Sequence, residues 1–174
     1  YYFEHAPEKL HSEMGAPNVV DMDDLHRTMA ESAIWPQGYQ WPLHDYHEQN
    51  PFTTAFDKQY GVATSIEQWD SFAQFVNYDS YRGMFEGQSK NRLGLLIWMG
   101  HPAWPSLLWQ TYDYFFDTDA GYYGSKKGAE PIHIQWNAST NAVEVVNYNA
   151  GDQHALTAHA QIINLDGTVK WDKI

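Results

Sequence analysis

Gly94–Tyr114 reads GLLIWMGHPAWPSLLWQTYDY, and its first six residues decide the fold class. Leu95-Leu96-Ile97-Trp98-Met99 is a continuous apolar run with a glycine at each end. It is too short for a confident helix and does not alternate, so it predicts a strand buried on both faces. The run then breaks at Gly100-His101-Pro102, with Trp98, Trp104 and Trp109 close together around the break. Tryptophans gathered at a strand exit need cover: either they plug a core, or they line a pocket for a ligand with an apolar face.

Working outward, the bulk composition narrows the partners. Net charge is −12, and no Lys/Arg run exceeds Lys126-Lys127, which excludes nucleic acid and anionic membrane surfaces as expected partners. Aromatic content is high at 16%, which suits stacking on apolar ring faces. The absence of cysteine excludes a disulfide framework. No apolar run reaches the length of a spanning helix, so membrane insertion is not expected. The chain opens on Tyr1-Tyr2-Phe3 and ends on the strand-like Trp171-Asp172-Lys173-Ile174, from which we expect a piece of something larger.

Upstream, Lys9–Met14 predicts a short strand ending near Glu13, followed by a turn at Gly15-Ala16-Pro17-Asn18. Asp21 reads as a helix N-cap, with Asp23 and Asp24 in the first turn and Met22, Leu25 and Met29 as the apolar face. Trp35-Pro36-Gln37-Gly38 should stop that helix, and Gln37–Thr54 reads as a loop. Thr64-Ser65-Ile66-Glu67 fits a capping box, with Thr64 as N-cap. Its helix should run to about Gln88, burying a stripe of Ile66, Trp69, Phe72, Ala73 and Val76.

Downstream, Thr118-Asp119 can cap a helix that stops before Pro131. Gly121, Gly124 and Gly128 share one side of it. Each glycine costs about 1 kcal/mol against alanine, so they imply close backbone approach, with a frayed segment as the alternative. Beyond Pro131 the period becomes two, in Ile132–Trp136 and Val143–Val145. A third strand near Leu156–Leu165 turns at Asp166-Gly167 into Val169–Trp171. Four such strands are too few to close a sandwich. The order predicts an α/β fold: the C-terminal portion of a (β/α)8 barrel over 1–131, then the start of a β-sandwich over 132–174.

Several side chains could carry chemistry. Glu13 sits at a strand exit, where α/β barrels place catalytic groups, and Trp98 sits at the next exit. Together they suggest a carboxylate beside an aromatic sugar floor; the plain alternative is a turn carboxylate bound to nearby backbone. His44-Asp45-Tyr46-His47-Glu48 resembles a metal cluster only weakly, since Cys and a helical His-x-x-x-His are lacking, and no metal is expected. One histidine of that loop, His44, could still point into a pocket. His101 could donate to a ligand hydroxyl. Trp109, Tyr112 and Tyr114 suit packing, while Asp113 could anchor its loop through backbone N–H groups. No dinucleotide or phosphate-cradling glycine motif is present, and no cofactor is expected.

Ser12-Glu13-Met14-Gly15 resembles the Ser-Glu-x-Gly nucleophile signature of glycoside hydrolase family 2. The run from Trp98 through Trp104, Trp109 and Asp113, continuing from Lys126-Lys127 to Trp136, resembles the last barrel strand and helix of its exo-β-glucosaminidase and β-mannosidase branch. The likeness covers about residues 8–137. It implies a retaining β-glycosidase acting on a carbohydrate substrate, with a (β/α)8 barrel followed by an immunoglobulin-like β-sandwich. It further implies Glu13 as nucleophile, Trp98 as the pocket floor, Trp104 as its wall, and His101 and His44 as substrate-facing groups. The acid/base would come from an earlier barrel strand in the remainder of the parent polypeptide, so the fragment alone is expected to be inactive. At His101-Pro102 the branch more often carries Asn-Asn or Asn-Asp, which bears on which sugar fits. A non-catalytic carbohydrate-binding or scaffold module built on the same aromatics is the alternative.

Overall fold

The computed structural model describes His5, Pro7 and residues 9–46, 51–88 and 94–174. They divide into two compact units, one within residues 2–128 and one over 129–174.

In the first unit, β1 (Leu10–Met14) and β2 (Gly94–Ile97) form a parallel pair. Leu10 faces Gly94, His11 faces Leu95 and Met14 faces Ile97, with an irregularity between His11 and Met14. A parallel pair needs a long crossover, and the helices α1 (Met22–Thr28), α2 (Glu31–Ile34), α3 (Gln40–Leu43), α4 (Pro51–Tyr60) and α5 (Ile66–Gly87) provide it. After β2 comes α6 (Ala120–Gly128). The structure is therefore α/β, as the order of elements predicts. The expectation that β2 is covered on both faces fails, because Leu96 is 58% exposed.

Asp21 caps α1 as expected, its side chain accepting from the Asp23 and Asp24 N–H groups. That helix ends at Met29, well before Trp35-Pro36, and a separate single turn follows. The expected loop 37–54 instead holds α3 and the start of α4. Pro51 opens α4, a position where its missing N–H is no loss. Trp41, sealed in the core, explains α3. Its ring packs edge-on against Tyr46 at 5.0 Å and Trp69 at 5.1 Å.

The N-cap lies one residue later than read. Ser65 is the N-cap and its hydroxyl accepts from the Gln68 N–H, while the Gln68 side-chain Oε1 accepts from the N–H of Thr64, the residue before the cap, at 2.8 Å. Trp69 and Ala73 are buried, with Ile66, Phe72 and Val76 packed against the same cluster. The glycine stripe of α6 meets α5 at close range. A Cβ at Gly124 would land on the Tyr78 carbonyl, and one at Gly128 would stand 2.7 Å from Phe85 Cβ.

In the second unit, β3 (Ile132–Asn137) pairs antiparallel with β4 (Ala142–Asn147), and β5 (Ala160–Ile163) with β6 (Val169–Lys173). These are separate two-stranded sheets. The third strand is shorter than the expected 156–165. Asn137 shapes the first hairpin by accepting from the Ser139 and Thr140 N–H groups. Asp166 shapes the second, accepting from Thr168 N–H at 2.9 Å. An apolar cleft of about 790 Å³ is lined by Ile134, Trp136, Val143, Ile162 and Trp171.

Candidate functional site

Glu13 is exposed near the C-terminal end of β1. The next residue, Met14, accepts a hydrogen bond from the Trp98 N–H at 2.7 Å, so Glu13 and Trp98 lie at neighbouring strand exits. Gly15 follows, and a Cβ there would land on the Trp98 carbonyl oxygen. Only glycine permits this approach of the two strand exits. The Trp98 ring is 49% exposed.

Beyond Trp98 the chain is fastened at successive points. Met99 N–H donates to the Trp109 carbonyl at 2.8 Å, and Tyr112 N–H to the Gly100 carbonyl at 2.9 Å. Trp109 N–H donates in turn to Asn18 at 2.8 Å, and Val20 N–H to Leu107 at 3.1 Å. Trp109 packs against the core, the role read for it, with its backbone in the left-handed region at φ 81°. Tyr81, buried on α5, donates its hydroxyl toward the Ala16 and Trp109 carbonyls at 3.4 and 3.3 Å. Burial raises its acidity threshold, and Asp119 adds to that effect.

His44 and Trp104 form a second pair, their rings stacked 6.2 Å apart at 20°. The His44 carbonyl accepts from Leu107 N–H, and its Nδ1 lies 2.8 Å from the Pro105 carbonyl. A carbonyl only accepts, so Nδ1 carries a proton, and in the neutral ring Nε2 is then the acceptor. Trp104 is 46% exposed. His101 belongs to a third pair, stacked on Phe116 at 4.1 Å. Of the expected residues, the structure stacks His44 on Trp104, puts Glu13 and Trp98 at neighbouring strand exits, and stacks His101 on Phe116, a residue the sequence did not single out.

Among the described residues, no group of three His, Asp or Glu could hold a metal ion. His47 and Glu48 lie outside the described residues. No described helix is long and apolar enough to cross a membrane.

The buried polar frame behind the site carried no motif. Asn18 donates to the Gln110 carbonyl and to Asp119. Asn77 on α5 grips Val19 from both sides, donating to its carbonyl at 2.8 Å and accepting its N–H at 3.3 Å. Asp119 caps α6 through the Gly121 and Tyr122 N–H groups. Burial pushes its carboxyl up to about 7, against the lowering effect of the Asn18 and backbone hydrogen bonds. Asp24 is pushed up to about 6 by burial, opposed by the Thr28 hydroxyl. Asp113 does anchor its loop as read, accepting from Phe115 and Asp117 N–H groups at 2.8 and 2.9 Å.

No protein-family model matches the sequence. Individual proteins do. An exo-β-D-glucosaminidase of Amycolatopsis orientalis is 32% identical over 169 residues, covering 88% of this chain and 16% of that protein. A mannosylglycoprotein endo-β-mannosidase of Lilium longiflorum is 33% identical over 140 residues, covering 77% of this chain and 15% of that protein. The chain thus spans about a sixth of the length of these relatives. A solved structure of the exo-β-D-glucosaminidase CsxA, a study of its inhibition by a glucosamine-configured castanospermine, superposes with TM-score 0.86 at 30% identity. That match covers 99% of this chain and 23% of the enzyme. A β-D-mannosidase from Dictyoglomus thermophilum shares the fold, with TM-score 0.74 at 16% identity over 84% of this chain and 19% of that one. Across most of its length, the chain is homologous to the exo-β-glucosaminidase and β-mannosidase branch of glycoside hydrolase family 2.

Proposed function

We propose that the chain is the C-terminal part of a (β/α)8 catalytic barrel, over 1–131, followed by the first strands of an immunoglobulin-like sandwich, over 132–174. The parent is then a retaining β-glycosidase that hydrolyses O-glycosidic bonds of oligosaccharides or glycans. The Glu13 carboxylate attacks the anomeric carbon and forms a glycosyl-enzyme as the leaving oxygen departs. A second carboxylic acid from the remainder of the parent, typically about 5–5.5 Å from the nucleophile, protonates that oxygen. It then takes a proton from the water that releases the sugar. Trp98 floors the pocket, Trp104 walls it, and His44 presents Nε2 as an acceptor for a sugar hydroxyl. His101 meets the sugar from the loop beyond β2. No cofactor takes part.

The observation that carries this reading is the joining of Glu13 to Trp98. The strand exits that bear Glu13 and Trp98, both exposed, are held together by the 2.7 Å bond from Trp98 N–H to the Met14 carbonyl and by the Gly15 contact with the Trp98 carbonyl. The homologues, named as exo-β-D-glucosaminidases and an endo-β-mannosidase, support a glycosidase parent. The test is Glu13→Gln in the full-length parent, assayed on a panel of aryl β-glycosides. Turnover should vanish while the fold, read by circular dichroism, is unchanged. Following the first-formed product by NMR should show the β anomer. Undiminished turnover in Glu13→Gln, or an α first product, overturns the mechanism.

A further inference from the structure

Residues 113–117 form a turn with more anchoring than a connection requires. Asp113 is almost fully buried, and its Oδ1 accepts from the Phe115 and Asp117 N–H groups. Its own N–H donates to the Asp117 carbonyl at 2.9 Å. From α1, Arg27 binds the Asp117 carboxylate at 2.6 Å and holds its guanidinium 5.3 Å from the Phe115 ring centre. This clamp fixes Phe116 at φ 70°, a left-handed conformation that bulky residues rarely adopt. The ring itself is 71% exposed, so packing does not account for the strain. Instead it lies flat on His101, 15° from parallel and 4.1 Å away. His101 is exposed too, three residues past Trp98 on the segment that leaves β2.

We propose that Phe116 is a specificity-determining residue: with His101 it forms a stacked platform for the sugar on the leaving-group side of the scissile bond. The inference rests on the glycosidase reading above. Glu13 and Trp98 sit at the strand ends, where the sugar being cleaved is held. The His101–Phe116 pair lies on the segments that follow β2, beyond Trp98 in the chain, fastened to each other by the hydrogen bond from Tyr112 N–H to Gly100. An aromatic face packs against the apolar C–H face of a sugar ring. The imidazole nitrogens at the platform's edge offer partners for the flanking hydroxyls. Arg27 and Asp113 are positioning residues, acting through the turn.

The test uses the full-length parent with Phe116→Ala, Phe116→Leu and Phe116→Tyr. Substrates are the β-1,4-linked disaccharides of glucosamine and of mannose, and the trifluoroethyl β-glycosides of the same sugars, whose leaving group has no ring. For Phe116→Ala and Phe116→Leu, kcat/KM on the hydrolysed disaccharide should fall about fivefold to tenfold, as loss of one aromatic contact implies. The rise should lie in KM, with less than a twofold change on the trifluoroethyl glycoside. Phe116→Tyr should restore the disaccharide value. An equal fall on both substrates, or no fall on either, overturns the platform. Should Phe116→Ala not fold, Phe116→Leu gives the same reading with bulk preserved. A wild-type parent that cleaves none of these glycosides overturns the glycosidase reading itself and the platform with it.

Discussion

Residues 19–108 and residues 129–174 both carry well-patterned amphipathic segments, yet they dispose of their apolar side chains differently. In the first, Val19, Leu25, Ile34, Trp41, Trp69 and Leu107 disappear into one cluster. In the second, the described residues that are buried are polar: His133, Gln135 and Asn137 on β3. Ile134 and Trp136 on the same strand are exposed, as are Val143 and Val145 across from them. The lesson concerns alternation. A period of two identifies a strand and its two faces, but the side that is covered is decided by what packs on it.

The units also differ in how acid acts on them, and the first prediction uses that. In the first unit, Asp119 titrates at about 7 and Asp24 at about 6, both raised by burial from 3.8. Folding therefore favours their protonated forms. Their contribution is fully present below about pH 4 and is lost as pH rises through 6 to 7. In the second unit, hydrogen bonds from Thr168, and from Gln161 and His159, hold Asp166 and Asp172 below the ordinary value. Their contribution is present above that value and lost as the medium becomes strongly acidic. The unfolding free energy from urea titration should therefore fall between pH 5 and pH 8 for a probe in the first unit, by up to about 2–3 kcal/mol for Asp119 alone. Asp119→Asn should flatten that slope. A slope that persists unchanged would break the contrast.

A smaller effect separates two kinds of glycine. At Gly124 the backbone is helical and the obstacle is the Tyr78 carbonyl of the neighbouring helix. Gly124→Ala should force the helices apart, lowering stability by about 2–3 kcal/mol in thermal or urea unfolding. At Gly167 nothing stands in the way, but φ is 84°. There Gly167→Ala should lower stability by about 1 kcal/mol, a turn-conformation effect. Equal losses at the two sites would show that helix spacing is more pliant than the geometry implies.

Much of this was legible because it depends on local chemistry. The Asp21 cap, the Trp69 and Ala73 stripe, the α6 glycines and the Asp166-Gly167 turn each follow from residue type and spacing alone. The helix at Pro51 was hidden because 37–54 mixes proline, histidine and aromatics without a clear period. The N-cap falls at Ser65, one residue beyond Thr64, because adjacent Thr and Ser offer two registers that residue type alone does not separate. At the site, Glu13 and Trp98 stood out by motif. Asn18, Asn77 and Phe116 did not, since their work depends on partners 15 to 101 residues away in the chain, such as Phe116 with His101 and Asn18 with Asp119. A lone Asn or an exposed Phe has no sequence pattern that announces such a partner.

The contact between Gly15 and Trp98 has a consequence for how such a site can change. The spacing of the strand exits that bear the proposed nucleophile and its proposed aromatic floor is set by backbone touching backbone at Gly15 and Trp98. Any side chain at position 15 would drive the two strand exits apart. In the proposed glycosidase, adaptation to a new sugar would then spare the spacing of these two strand exits. It falls to replaceable rings and imidazoles in the surrounding loops, where a single codon alters shape without disturbing the geometry of attack.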